Sequence, residues 1–171
     1  PQSFYYFEAF KQLHDKSTPI VVSVPSGNFG NLTAGLMAWK MGLPIHKFIA
    51  ATNINNLVPE YIRTAQYLPK LSIATISNAM DVGSPSNFVR MKELFGDNHI
   101  DFTNQISGAF YTDEETREEM RLVYKKDNYI CDPHGAIGHR GLREYLLQHS
   151  GMQGFFLETA HPAKFENTVN E

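Results

Sequence analysis

The feature that most constrains the fold is a short apolar run followed at once by a glycine-bearing turn and a helix pattern. Residues 19–24 read Pro-Ile-Val-Val-Ser-Val, and such a β-branched run is typical of a buried strand in a parallel sheet. The turn, residues 25–31, reads Pro-Ser-Gly-Asn-Phe-Gly-Asn. Apolar residues then predict a helix over residues 32–41, with Asn31 as its expected N-cap and Gly42 as its stop signal.

The remaining patterns alternate between helices and short strands. Helices are expected over residues 3–14, 58–67, 88–95, 112–127 and 134–149, and further strands over residues 45–51, 72–76 and 154–158. Thr112 and Glu115 have the spacing of a capping box, and Asp132-Pro133 is an N-cap followed by proline at the first helical position. Short connections between strand, helix and strand favour a parallel sheet with right-handed crossovers. We therefore expect an α/β fold, a parallel sheet flanked by helices, with residues 1–171 as a single unit.

Composition excludes several classes of protein. The 171 residues are 42% apolar and 19% charged, with a formal net charge of −3, so a globular chain without a nucleic-acid partner is expected. No apolar run is long enough to cross a bilayer, so no membrane partner is expected. The single cysteine, Cys131, cannot form an internal disulfide and fits a reducing cytoplasm. No metal site is expected, because His134 and His139 lie five residues apart and do not share a helix face.

The glycine-bearing turn has the properties of a phosphate site. The start of a helix carries backbone N–H groups without intrahelical partners and the positive end of the helix dipole, which a phosphate group satisfies together. Ser26 and Asn28 could donate further hydrogen bonds. The turn lacks the Gly-Lys-Ser/Thr of a Walker A loop and the spacing of the dinucleotide fingerprint. An ordinary strand-to-helix turn is the alternative interpretation.

Residues 24–35, Val-Pro-Ser-Gly-Asn-Phe-Gly-Asn-Leu-Thr-Ala-Gly, closely resemble the pyridoxal-phosphate (PLP) phosphate loop of threonine synthases. The resemblance continues in the right order through nearly the whole chain, at residues 48–53 and 56, at residues 77–82, 85–87 and 90, and at residues 132–134 and 159–165. Two positions depart from the common pattern: many relatives carry threonine where Gly135 stands and aspartate where Asn31 stands. The chain opens with Pro1-Gln2 and no initiator methionine, which suggests an internal cut, and the resemblance implies that the chain is the C-terminal portion of such an enzyme.

The resemblance implies a PLP-dependent lyase of fold type II, the group of the tryptophan synthase β chain. Threonine synthases convert O-phosphohomoserine and water to threonine and phosphate. The residues that match the family's cofactor-phosphate loop are Ser26, Gly27, Asn28, Phe29, Gly30 and Asn31. Thr159 matches the position whose hydroxyl faces the pyridine nitrogen, and a neutral hydroxyl there leaves that nitrogen largely unprotonated.

The resemblance also implies that part of the catalytic machinery lies elsewhere. In this family the lysine that forms the Schiff base lies well upstream, and none of Lys40, Lys47, Lys92 or Lys164 stands in its sequence context. We therefore expect the chain alone to be inactive and to work with an N-terminal domain of the same protein. A homo-oligomer is a further expected partner, because the aromatic residues of the first helix could form an interface.

Asn78, Asp81 and Arg90 are candidate substrate-binding residues. They lie in and after a polar loop that follows an expected strand, and an arginine can hold a phosphate as a bidentate fork. The alternative is that Asp81 caps a turn and Arg90 lies on a solvated helix face.

The sequence is also compatible with two other functions. A non-enzymatic α/β module that binds phosphate or nucleotides would need only the helix start and no lysine. Another fold type II enzyme, such as a threonine dehydratase, is the other alternative, although such relatives have a more glycine-dense phosphate loop.

Overall fold

The computed structural model describes residues 1–170 and contains a four-stranded parallel sheet. Its strands are β1 (Ile20–Pro25), β2 (Lys47–Thr52), β3 (Ile106–Phe110) and β4 (Gln153–Phe156). Their order across the sheet is β3-β2-β1-β4, and each neighbouring pair is parallel. The expected α/β fold with a parallel sheet is confirmed.

Helices cover both faces of the sheet. They are α1 (Ser3–Gln12), α2 (Gly30–Lys40), α3 (Leu57–Thr64), α4 (Phe88–Leu94), α5 (His99–Gln105), α6 (Asp113–Asp127), α7 (Pro133–Gln148) and α8 (Glu166–Val169), with 3₁₀ turns at Asn78–Met80 and Pro162–Phe165. Val22 and Val24 of β1 join a core with α1 to α5, whereas Val21 packs with Ile137 of α7 on the opposite face. Because both faces are covered, all six residues of β1 are buried, as its composition predicted.

The strand expected at residues 72–76 is wrong, and β3 is the strand that was not expected. The segment 72–76 is irregular. Its amides bond to side chains instead of a strand: the Ile73 N–H donates to Asn55 Oδ1 and the Thr75 N–H to Asp81 Oδ2. β3 reads Ile-Ser-Gly-Ala-Phe, which is a weak strand signal, and it is held by its pairing with β2.

Several helix ends differ from the sequence expectations. Asn31 is not the N-cap of α2, because the helix begins at Gly30, two residues earlier than expected, and Phe29, at φ 59°, is the capping residue. α3 ends at Thr64 instead of residue 67, since Ala65 adopts the left-handed conformation. The capping box of Thr112 is confirmed, and so is the Asp132-Pro133 start of α7.

Candidate functional site

The candidate site lies at the carboxyl-terminal edge of the sheet. In parallel sheets the loops that follow the strands meet at this edge, which is where α/β proteins bind ligands. The loop after β1 is tied to β2 by the Ser26 N–H, which donates to the Ala51 carbonyl at 2.8 Å. The segment after β4 is tied to β1 by the Leu157 N–H, which donates to the Ser23 carbonyl at 3.1 Å.

The loop between β1 and α2 presents a run of backbone N–H groups that find no acceptor in residues 1–170. The run extends from Gly27 to Leu32, between the Ser26 amide, which bonds to β2, and the Thr33 amide, which donates to the Phe29 carbonyl at 2.9 Å. It opens α2, a helix of 11 residues. The unpaired amides and the helix dipole both favour an anion at this point.

Three contacts hold this loop in shape. The Phe29 ring is buried in the core while its backbone turns through the left-handed region, and its carbonyl also accepts from the Thr33 hydroxyl at 2.7 Å. Gly27 packs so closely on the 3₁₀ turn that an added Cβ would come within 2.6 Å of Met80 Cα and 2.8 Å of the Ala79 carbonyl oxygen. Close backbone approach therefore requires glycine at this position.

The side chains of Ser26 and Asn28 bond within the protein. The buried Ser26 hydroxyl donates to the Val24 carbonyl at 2.9 Å. Asn28 Oδ1 accepts from the Ser86 N–H at 2.6 Å and from its hydroxyl at 3.1 Å. Asn87 Nδ2 donates to the Asn28 carbonyl at 2.9 Å. The Ser26 hydroxyl is therefore engaged, whereas Asn28 Nδ2 finds no acceptor within residues 1–170, so the loop offers an anion its backbone amides and this one side-chain donor.

Asp81 accepts hydrogen bonds from two asparagines that follow β2 and from Thr75. Its Oδ1 takes hydrogen bonds from Asn53 Nδ2 at 2.8 Å, Asn55 Nδ2 at 3.1 Å and the Thr75 hydroxyl at 2.7 Å. Asn53 is 1% exposed. Sequence reasoning did not anticipate this network, although polar residues directly after a buried strand were the available signal. The network holds the segment that leads into the 3₁₀ turn, on which Gly27 packs.

The other two substrate candidates lie apart from that network. Asn78 is exposed on the 3₁₀ turn. Arg90 is exposed on α4 and donates from Nη1 to Asn87 Oδ1 at 2.9 Å, so it reaches the phosphate loop through Asn87. No hydrogen bond or ion pair within residues 1–170 joins the side chains of Asn78, Asp81 and Arg90.

Thr159 is exposed just beyond β4, at the same edge of the sheet. Next to it lies a group of three ionisable side chains, of which Asp132 and His134 are buried and Glu158 is half-buried. Burial is the main cause that raises the pKa of Glu158, to about 8, and the neighbouring Asp132 raises it further. The sequence indicated only the capping role of Asp132.

Within the described part of the chain, no three His, Cys, Asp or Glu side chains form a group that could hold a metal ion. The helices of residues 1–170 include none with the length and apolarity needed to cross a bilayer.

The chain is 49% identical over 169 residues to the threonine synthase of Haemophilus influenzae and 48% identical over 169 residues to that of Escherichia coli. Each match covers 98% of the chain. The crystal structure of the Escherichia coli threonine synthase superposes with a TM-score of 0.91 over 99% of the chain. Over nearly its whole length the chain is similar in sequence and in fold to these threonine synthases. It spans 39% of the length of the two threonine synthases matched by sequence.

More distant structures share the fold. A PLP-bound threonine synthase from Brucella melitensis is 32% identical, with a TM-score of 0.90 over 99% of the chain and 41% of its own length. A serine racemase from Dictyostelium discoideum is 15% identical, with a TM-score of 0.68 over 93% of the chain and 48% of its own length. At 15% identity, the likeness of this chain to the serine racemase concerns the fold alone. No family model matches the chain.

Proposed function

We propose that residues 1–171 are the unit of a threonine synthase that binds the phosphate group of PLP. The observation that carries this proposal is the run of amides from Gly27 to Leu32, which have no acceptor within residues 1–170 and open α2. A phosphate group has enough oxygen acceptors to satisfy several of these donors at once. The PLP bound to the Brucella melitensis relative supports the choice of cofactor.

The residues of the site fit the cofactor. Gly27 and Gly30 are partly exposed and carry no side chain that could cover the amides. Thr159, exposed on the neighbouring strand end, would direct its hydroxyl to the pyridine nitrogen. When bound, PLP supplies the electron sink that amino-acid chemistry at Cα requires. The chain's own contribution is to anchor the phosphate and to keep a neutral group at the ring nitrogen.

The whole protein would convert O-phosphohomoserine and water to threonine and phosphate. The Schiff-base lysine would come from the part of the protein that lies outside this chain. Exposed Asn78 and Arg90 are available for the substrate phosphate, whereas Asp81 would act by holding the loop beneath the cofactor. A cytoplasmic location and a homo-oligomeric state stay predictions.

The decisive experiment compares PLP with pyridoxal, which lacks the phosphate group. The full-length protein is titrated with each compound, and binding is followed by absorbance. Several charge-assisted hydrogen bonds to the phosphate should make pyridoxal bind at least about 100-fold more weakly than PLP. Equal affinities would refute a phosphate-binding role for the loop.

A second assay separates the proposed reaction from its alternatives. The full-length protein with PLP should release phosphate from O-phosphohomoserine and form threonine. A threonine dehydratase would instead deaminate threonine, and a non-enzymatic module would bind nucleotides while ignoring PLP. Either of these results, without phosphate release from O-phosphohomoserine, would overturn the proposal.

A further inference from the structure

The start of α7 and the end of β4 bring two carboxyl groups together in the interior. Asp132 is fully buried, and its backbone N–H donates to Glu158 Oε1 at 3.3 Å. Asp132 Oδ1 accepts from both the N–H of His134, at 2.8 Å, and its ring Nδ1, at 2.6 Å. A carboxylate cannot donate, so the ring nitrogen must carry the proton of this bond. Oδ1 is therefore occupied, and Oδ2 needs a different donor.

Asp132 Oδ2 and Glu158 Oε2 are both buried and have no hydrogen-bond partner when each carboxyl is counted only as an acceptor. Two unpaired carboxylate oxygens in the interior cost considerable free energy. The two side chains lie within hydrogen-bonding reach of each other, so a single proton on Glu158 would let its hydroxyl donate to Asp132 and give both atoms a partner. Carboxyl pairs commonly resolve their repulsion by sharing one proton.

The surroundings indicate which carboxyl keeps the proton. Asp132 caps the positive end of α7, a helix of 16 residues, and takes two N–H groups from His134. Burial works to raise its pKa, but the hydrogen bonds from His134 and Glu158 outweigh burial and lower the pKa. The pKa of Glu158 is raised to about 8. Glu158 is therefore the neutral partner at pH 7.

Neighbouring groups leave this assignment unchanged. His134 donates its ring N–H to Asp132, and its ring packs on that of Phe165 with the two ring centroids 4.9 Å apart. Burial raises the pKa of Cys131 to about 12 and also raises the pKa of Tyr129. Both groups are neutral near pH 8 and add no charge beside Glu158.

Gly135 is part of the same arrangement. A Cβ at this position would overlap the carboxylate of Glu158. Glycine in the first turn of α7 thus makes the space that allows Glu158 to reach Asp132.

We propose that Asp132 and Glu158 share one proton and that this bond positions Thr159 toward the pyridine nitrogen of PLP. The positioning role rests on the proposed function. Thr159 makes no hydrogen bond with residues 1–170, so the segments on either side of it set its direction. Leu157 is bonded to β1, Glu158 is bonded to the start of α7, and His161 caps the 3₁₀ turn that follows by accepting from the Ala163 N–H at 3.2 Å.

The shared proton is tested first, on the full-length protein without PLP. Infrared spectra are recorded over a pH series for wild type, Glu158→Gln, Asp132→Asn and the exposed control Glu93→Gln. Wild type and the control should show a protonated-carboxyl band that disappears with a midpoint near pH 8, and Glu158→Gln should lack the band. In Asp132→Asn the midpoint should fall by about one pH unit or more, because the neighbouring negative charge is gone. A wild-type band that vanishes by pH 5 would overturn the shared proton.

The positioning role is tested by adding PLP to full-length wild type, Glu158→Gln and Glu158→Ala. Wild type should show a change in bound-PLP absorbance near pH 8, which Glu158→Gln should lack because glutamine donates the same bond at every pH. At pH 7 Glu158→Gln should bind PLP within about twofold of wild type, and Glu158→Ala should bind about tenfold more weakly. Wild-type affinity and absorbance in Glu158→Ala would overturn the positioning role.

The two tests fail separately. If wild type does not bind PLP at any pH, the proposed function and the positioning role are both overturned, and the infrared series still decides whether the proton is shared. If Glu158→Ala does not fold, the loss of the pH 8 transition in Glu158→Gln decides the positioning role.

Discussion

Replacing Gly27 by alanine tests how the phosphate loop is held. The new Cβ would lie 2.6 Å from Met80 Cα and 2.8 Å from the Ala79 carbonyl oxygen, both backbone atoms that cannot rotate away. Ordinary contact begins near 3.4 Å, so the loop and the 3₁₀ turn would have to separate by about 0.8 Å. Overpacking of this kind costs about 1–3 kcal/mol. The same displacement moves the amides, and we expect the Kd for PLP to rise about 10- to 100-fold.

The assay pairs thermal unfolding of the full-length protein without PLP with PLP titration at one temperature. Gly30→Ala is the matched control for stability. Its Cβ would meet nothing closer than 3.5 Å, and alanine favours a helix more than glycine does. We expect Gly27→Ala to unfold at a lower temperature and Gly30→Ala to unfold at or above the wild-type temperature. Equal unfolding temperatures for wild type and Gly27→Ala would refute the inferred packing of the loop on the turn.

Three further substitutions test the contacts around the site. Asp81→Ala should lower the free energy of unfolding by about 2–3 kcal/mol, measured with urea, because three side-chain donors each lose one of their acceptors; an unchanged urea midpoint would contradict this network. Burial works to raise the pKa of Glu119, but hydrogen bonds from His139 and Arg143 outweigh it and lower the pKa to about 2. The contribution of ionised Glu119 to the free energy of unfolding is therefore present above pH 4.5 and lost as the pH falls toward 2. As the pH is lowered across that interval, the urea midpoint of Glu119→Gln should fall less than that of wild type. Lys47→Met should cost about 1 kcal/mol by the same measurement, because Nζ donates to two carbonyl groups at the end of α5; the wild-type midpoint would show that these bonds contribute nothing net.

Elements with strong local signals were predictable from the sequence. Residues 19–24 indicated a buried strand because β-branched side chains favour that environment, and β1 is Ile20–Pro25. Thr112 with Glu115 and Asp132 with Pro133 marked the starts of α6 and α7, because capping depends on residues three or fewer positions apart.

β3 shows where local signals were insufficient. Its five residues include only two large apolar side chains, so its extended form depends on pairing with β2, which lies more than fifty residues away in sequence. The segment 72–76 has a stronger strand pattern, yet its amides bond to Asn55 and Asp81. The side chains that compete for the backbone were not apparent from the pattern itself.

The amino-acid sequence by itself determined the likeness to threonine synthases, the parallel α/β class and the glycine-bearing turn, because these are recorded in residues adjacent along the chain. Only the tertiary structure decided that Gly27 packs on the 3₁₀ turn, that Asp81 lies inside an amide network and that Glu158 meets Asp132. These contacts join residues 26 or more positions apart. Their energies depend on distance in space and on removal from water, which neighbouring residues in sequence do not specify.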